Sequence, residues 1–147
     1  MENIEYRRLS VDDLNEVIDV YTSYYNQYEN GCWTNAIANR RFHQLLSMEE
    51  SFCLCQKVND KISGLVLGYI KEYDDIKGYF LEEIVIVKEF QNHNYGTLLM
   101  AKLEEIVKNE GCGIIELISV NDDKHNHFYS KCGFDNTKSW ILKGKTL

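Results

Sequence analysis

The chain of 147 residues contains no proline, no low-complexity run, no internal repeat and no linker-like stretch. Nothing in it marks a boundary, so residues 1–147 read as a single domain, long enough to bury a core. Long apolar runs are missing as well. None approaches the ~18 residues of a membrane span, and "MENIEYRRLS" lacks the apolar stretch of a signal peptide. These absences predict a cytoplasmic protein with no membrane contact. Basic residues form no stripe and the net charge is −7, which argues against nucleic acid or an anionic membrane as partner. The acidity favours a cationic ligand, or serves solubility alone.

Cysteine is present as five residues, Cys32, Cys53, Cys55, Cys112 and Cys132. An odd count without a secretory signal points to free thiols rather than a disulfide framework. Only Cys53 and Cys55 are close together, and no second pair completes a zinc site, so no metal is expected. On a strand these two share a face and read as buried thiols.

What is present is the 44% hydrophobic and 27% charged balance of a globular protein. "IEYRRL" alternates like a strand, and Ser10 with Asp13 opens a helix through "VDDLNEVIDVYTSYY". Thr34 opens a second helix, "TNAIANRRFHQLLSM". "SFCLCQKV" and "ISGLVLGYIKEY" read as strands joined by the turn "NDK", and "YFLEEIVIVKEF" as the next strand. Helical spacing of Leu98, Leu99, Leu103, Ile106 and Val107 predicts a helix from about Tyr95 to Asn109, stopped by Gly111 and Gly113. "IIELISV" then reads as a strand, "DKHNHFYSKC" as a short helix and "SWILKGK" as a final strand. The strand, helix, strand step near residue 95 demands a crossover to a parallel neighbour. The fold class is α+β: one mixed, mainly antiparallel sheet with about four helices.

Three segments carry chemistry. In "KEFQNHNYGTLL" a polar loop leads into a helix whose N-terminal N–H groups can hold a phosphate. Asn94 and Gly96 are the residues there that tolerate the positive φ such a curl needs. With one glycine and no P-loop or dinucleotide pattern, the loop alone reads first as an ordinary strand-to-helix turn. Upstream, Glu82 and Glu83 interrupt an apolar strand, where charge is costly unless paired or used. Alternation puts Glu82 on the face of Ile84 and Ile86, as a candidate general base or a salt-bridge partner. Downstream, Tyr129 in "NHFYSKCGF" is either a proton donor or a core aromatic.

Together, Q-x-x-N-x-G opening a helix and "FYSKCGF" after the next strand resemble the GNAT superfamily of N-acetyltransferases. That family's acyl-CoA loop follows Q/R-x-x-G-x-G/A, and its C-terminal part contains F-Y-x-K-x-G-F. Residues 81–134 carry the motifs, and the loop departs once, with Asn94 where glycine is usual. The resemblance implies acetyl-CoA as co-substrate, no metal, and a sheet splayed at the acyl-CoA site. It implies that Gln91, Asn92, His93, Asn94, Tyr95, Gly96 and Thr97 surround the pyrophosphate, their amides from Asn92 onward binding it. The backbone of Ile84, Val85 and Ile86 would pair with the pantetheine arm. "LEE" stands where polyamine-type members carry "LED", making Glu82 the base, with Glu83 its rival if a bulge reverses the faces. Tyr129 would protonate the departing thiolate, and Asn121 lies near a position where many relatives touch CoA. Homodimers are common among such relatives.

The implied reaction is transfer of an acetyl group to a primary amine of a small molecule. Protein or peptide N-acetylation and a non-catalytic acyl-CoA-binding regulatory module are the alternatives. Tyr24, Tyr28, Glu29 and Trp33, with Glu83, suit a cationic amine, or alternatively pack the helical layer. His93, His125 and His127 read as surface residues or incidental CoA contacts.

Overall fold

A computed structural model describes residues 2–147. Strand β1 (Ile4–Arg8) leads through a 3-10 turn into α1 (Leu14–Tyr28), followed by α2 (Asn35–Leu46). Then come β2 (Leu54–Val58), β3 (Lys61–Glu72), β4 (Lys77–Ile86), α3 (Tyr95–Asn109), β5 (Ile114–Leu117) and α4 (Asp123–Lys131). The five strands lie in sequence order, antiparallel through β4, with β5 parallel to β4.

Local chemistry accounts for these boundaries. The backbone N–H of Ser10 donates to the Asp13 carboxylate at 2.9 Å, and Thr34 Oγ1 accepts from the Ile37 N–H at 3.1 Å as the N-cap of α2. Asn59 and Asp60, at φ 49° and 66°, make the tight β2–β3 turn, a pair of left-handed residues that suits the twist of a hairpin. Gly111, at φ 95°, ends α3.

Strand alternation sends β3 to two cores. Leu65 and Leu67 pack with Val17, Tyr21 and Phe42 beneath α1 and α2, whereas Val66 packs with Leu99, Met100 and Leu103 beneath α3. Cys53 and Cys55 share the first core, as their spacing predicts, and burial pushes the Cys55 thiol up to about 11.

Three expectations are corrected here. The strand read over "YFLEEIVIVKEF" ends at Ile86, and Lys88–Phe90 form a 3-10 turn. The strand read over "IIELISV" stops at Leu117, and Gly113 has no positive φ. "SWILKGK" is not a strand: from Asp135 onward every residue is exposed and none belongs to the sheet. Its β-forming side chains have no sheet neighbour, and a strand exists only by pairing.

Candidate active site

β4 pairs with β5 only through Gly78–Leu81. Beyond Leu81 the two strands part, and Glu82–Ile86 has an open edge on that side. Val87 N–H donates to Ser63 of the β3 side at 2.9 Å. By antiparallel alternation Val85 also turns its polar groups to β3, and Ile84 and Ile86 turn theirs to the open edge. The Ile86 carbonyl there accepts from Gln91 Nε2 at 2.8 Å. An arm lying on this edge therefore meets Ile84 and Ile86; Val85 contributes only a side chain, and that is buried on the opposite face.

The carboxylates depart from simple alternation. The β3–β4 register steps from Leu67↔Glu83 to Gly68↔Leu81, leaving Glu82 as an extra, bulged residue. Only glycine fits opposite: a Cβ on Gly68 would lie 2.3 Å from the Phe80 carbonyl oxygen. The bulge puts Leu81 and Ile84 together in the α3 core, so Glu82 does not share the face of Ile84 and Ile86 in the simple way expected. Both carboxylates reach Arg41 of α2 instead, Glu83 at 3.0 Å and Glu82 at 3.6 Å.

Their surroundings differ. Glu83, with its side chain 16% exposed, accepts from Arg41 Nε, from Tyr21 Oη at 2.8 Å and from Tyr25 Oη at 3.1 Å. Burial, then the Glu83 charge, pushes both tyrosine hydroxyls far above their usual range, so they stay protonated donors. Among the described residues, Glu82, 30% exposed, has only the longer contact to Arg41. Glu83 is a tied carboxylate and Glu82 an available one.

Past β4 the loop turns left-handed twice, at Asn92 (φ 63°) and Asn94 (φ 71°). Asn94 supplies the positive φ expected of it and is the N-cap of α3. Gly96 does not: it sits in the first turn of α3 with no positive φ. What it supplies is space, because a Cβ there would lie 3.0 Å from Phe128 of α4 and 3.3 Å from Ile86. Among the described residues, no acceptor takes the backbone N–H groups of Asn92 through Thr97. Beneath them, buried Gln56 donates to the Tyr95 carbonyl at 3.2 Å and accepts from Ser63 at 2.8 Å, pinning the start of α3 to the sheet. The Tyr95 side chain is buried and bonds to Glu2. Gln91 Nε2 also donates to Tyr24 Oη at 2.8 Å, so its amide braces the loop against α1. His93 is exposed, its ring near Tyr95.

α4 closes the site from the side of Gly96. Asp122 caps it by accepting from the His125 N–H at 2.8 Å. Tyr129 stacks edgewise between Phe128 and Phe134, and burial raises its hydroxyl, which has no hydrogen-bond partner among the described residues. Asn121, which precedes the cap of α4, is exposed and accepts from Asn126 of that helix at 3.0 Å. On the helical side, Tyr24 Oη donates to Glu29 at 2.8 Å. Lys88 sits 5.6 Å above the ring of exposed Tyr28. Trp33 lies edge-on to Tyr21 and borders a cavity of about 280 Å³ with Ile37, Arg40 and Arg41.

Arg41 and Tyr21 were not singled out in the sequence, and Asn92 was named for its amide but not for its left-handed backbone. Asn92 had a signal, the same residue type as Asn94 two positions on. Arg41 reads in sequence as one charge on a solvated helix face.

An unpaired amide row at a helix start, beside a half-open strand with a carboxylate on its bulge, suits an anionic cofactor and an acyl group laid along β4. The fold is shared with known proteins. An aminoglycoside N-acetyltransferase, AAC(6')-Iy, in complex with CoA superposes with TM-score 0.78 at 14% identity, covering 100% of this chain and 97% of that one. The aminoglycoside acetyltransferase meta-AAC0020 from an uncultured soil metagenomic sample gives 0.77 at 16%, over 98% and 96%. Glucosamine-6-phosphate N-acetyltransferase from Arabidopsis thaliana gives 0.70 at 21%, over 97% and 98%. No curated protein matches in sequence. The acetyltransferase (GNAT) family model matches residues 14–134. The chain belongs to the GNAT family and is an N-acetyltransferase.

Proposed function

We propose that the chain transfers the acetyl group of acetyl-CoA directly to a primary amine of a small, cationic molecule. The observation that carries this reading is the contrast between Glu82 and Glu83 beside the open edge of β4. The amides of Asn92–Thr97 hold the pyrophosphate, aimed by the left-handed Asn92 and Asn94, while Gln91 braces the loop. Ile84 and Ile86 hold the pantetheine arm. Acetyl-CoA supplies a thioester carbon open to attack.

An amine protonated at neutral pH cannot attack, so Glu82 takes its proton, directly or through one water. The amine nitrogen bonds to the carbonyl carbon as the carbon–sulfur bond breaks. Ile84 N–H faces the open edge and donates to the oxygen where negative charge builds. Tyr129 gives its proton to the leaving thiolate, its raised hydroxyl remaining protonated until then, and the second proton that the nitrogen sheds as the amide forms returns to Tyr129 through water. Glu83 holds Arg41, Tyr21 and Tyr25 in place around the acceptor side.

Net charge −7 and the Tyr24–Glu29 and Tyr28 cluster favour a cationic acceptor. The names of two structural neighbours make aminoglycosides the first amines to try. The test is free-thiol release from acetyl-CoA across aminoglycosides, polyamines and amino-acid amides, with mass spectrometry of the product. Stoichiometric thiol and acetylamine are expected. Turnover only on peptides would transfer the reading to protein acetylation, and tight CoA binding without turnover on any acceptor would leave a sensor.

A further inference from the structure

Ile37, Arg40, Arg41 and Gln44 recur at helical spacing, so they form one stripe along α2. With Trp33 they line the cavity of about 280 Å³, and its wall residue Arg41 is the one that reaches Glu82 and Glu83. A space of that size takes part of a small molecule. It lies on the acceptor side of the two carboxylates.

Two of its walls are held in place. Asn26 accepts from the Trp33 N–H at 2.8 Å and donates to the Trp33 carbonyl at 2.8 Å, which clamps the backbone carrying the indole. Arg41 is taken up by the two glutamates. Arg40 and Gln44 differ. They are one turn apart and exposed, and among the described residues neither side chain has a polar partner. Among those residues no carboxylate lines the cavity. Glu83 neutralises Arg41, so Arg40 leaves a positive charge uncompensated there, in a chain whose net charge is −7. A second cation is repelled from this wall and an anion is drawn to it.

We propose that this cavity receives an anionic group of the acceptor, a carboxylate or a phosphate, held by Arg40 and Gln44. It rests on the amine transfer assigned to Glu82 and adds the other end of that acceptor. The planar guanidinium donates two parallel N–H bonds to two oxygens of such a group, and the Gln44 amide donates another. Trp33 and Ile37 flank the carbon skeleton between amine and anion. A molecule with two amines and one carboxylate stays cationic overall, in keeping with the acidic chain. Arg40 is thus a specificity-determining residue.

Thiol release from acetyl-CoA with matched acceptors tests this, with mass spectrometry of the products. Lysine against lysinamide probes a carboxylate, and phosphoethanolamine against ethanolamine probes a phosphate. In one pair or both, kcat/KM should favour the anionic member by about tenfold, chiefly through a lower KM. The pair that shows the preference tells carboxylate from phosphate. Arg40→Gln should shrink the preference to within about twofold, and Arg40→Lys should restore part of it, since charge returns without the fork. Comparing proteins on the same two amines cancels their intrinsic reactivity, and an unchanged denaturation midpoint shows that the variant is folded. Equal or better turnover of the neutral members, or a preference that survives Arg40→Gln, overturns the proposal and leaves amine transfer standing. Turnover on polycationic amines with none on these pairs does the same. No thiol from any amine overturns amine transfer, and this proposal with it.

Discussion

Arg41 and Glu83 meet at 3.0 Å in the layer between α2 and the bulge of β4, and that pair occupies one of two adjacent glutamates. The other, Glu82, is displaced by the bulge and left with a contact of 3.6 Å. The proposed division of labour between neighbouring carboxylates rests on this geometry: Glu83 is held by three donors, and Glu82 has the looser contact.

Arg41→Met should therefore be a stability change first. It removes the cation from a carboxylate that keeps two tyrosine donors, a loss of about 2 kcal/mol for a charged hydrogen bond in a half-buried setting. Denaturant melts would show a lower midpoint with an unchanged slope. An unaltered midpoint would mean that water replaces the guanidinium without cost.

Asn94 holds φ 71°, where a β-branched residue is strained. Asn94→Gly should keep acetyl-CoA affinity or raise it. Asn94→Val should cost about 1–3 kcal/mol at the loop and weaken binding, read by calorimetric titration. Equal affinity in all three proteins would show that the curl does not aim the amides.

Gly96→Ala places a methyl 3.0 Å from Phe128, so α4 must give way. The expected result is a stability loss of about 1 kcal/mol together with a lower kcat, because Tyr129 follows Phe128 along the same helix. Tyr129→Phe isolates the proton: kcat should fall about 100-fold with acetyl-CoA affinity kept. A full kcat in Tyr129→Phe would assign the proton to water.

Alkaline pH should unfold the protein through its tyrosines. Tyr24 is pushed up to about 12, by burial first and then by its bond to Glu29, and Tyr21 and Tyr25 lie higher still. In the unfolded chain a tyrosine ionises near ~10. Raised values in the folded state mean that this stability is complete below ~10 and is lost as pH climbs toward and past 12. Melts from pH 8 to 12 should show the decline, and absorbance at 295 nm should show native tyrosines titrating late.

Most of the elements around the candidate site were legible in the sequence, and each gap has a physical cause. "FYSKCGF" and the helix from Tyr95 to Asn109 appear where spacing put them, because helical periodicity and capping act locally. The curl at Asn94 was readable from residue chemistry alone. The bulge was not, since Leu81–Ile84 is compatible with plain alternation and the requirement is written on the partner strand, at Gly68. Arg41 is far from Glu83 in sequence, and a pair across two elements leaves no local trace. "SWILKGK" has the composition of a strand but no strand neighbour among the described residues, and propensity without pairing makes no strand.

Thiol release by the wild type, Glu82→Gln and Glu83→Gln on one amine tests the central claim most directly. With Glu82 as base, Glu82→Gln should lose about 100-fold or more in kcat/KM near neutral pH while keeping its stability. Glu83→Gln should lose stability and keep most of its turnover. Unchanged kinetics in Glu82→Gln, with activity abolished in a folded Glu83→Gln, would contradict the account and make the tied carboxylate the base.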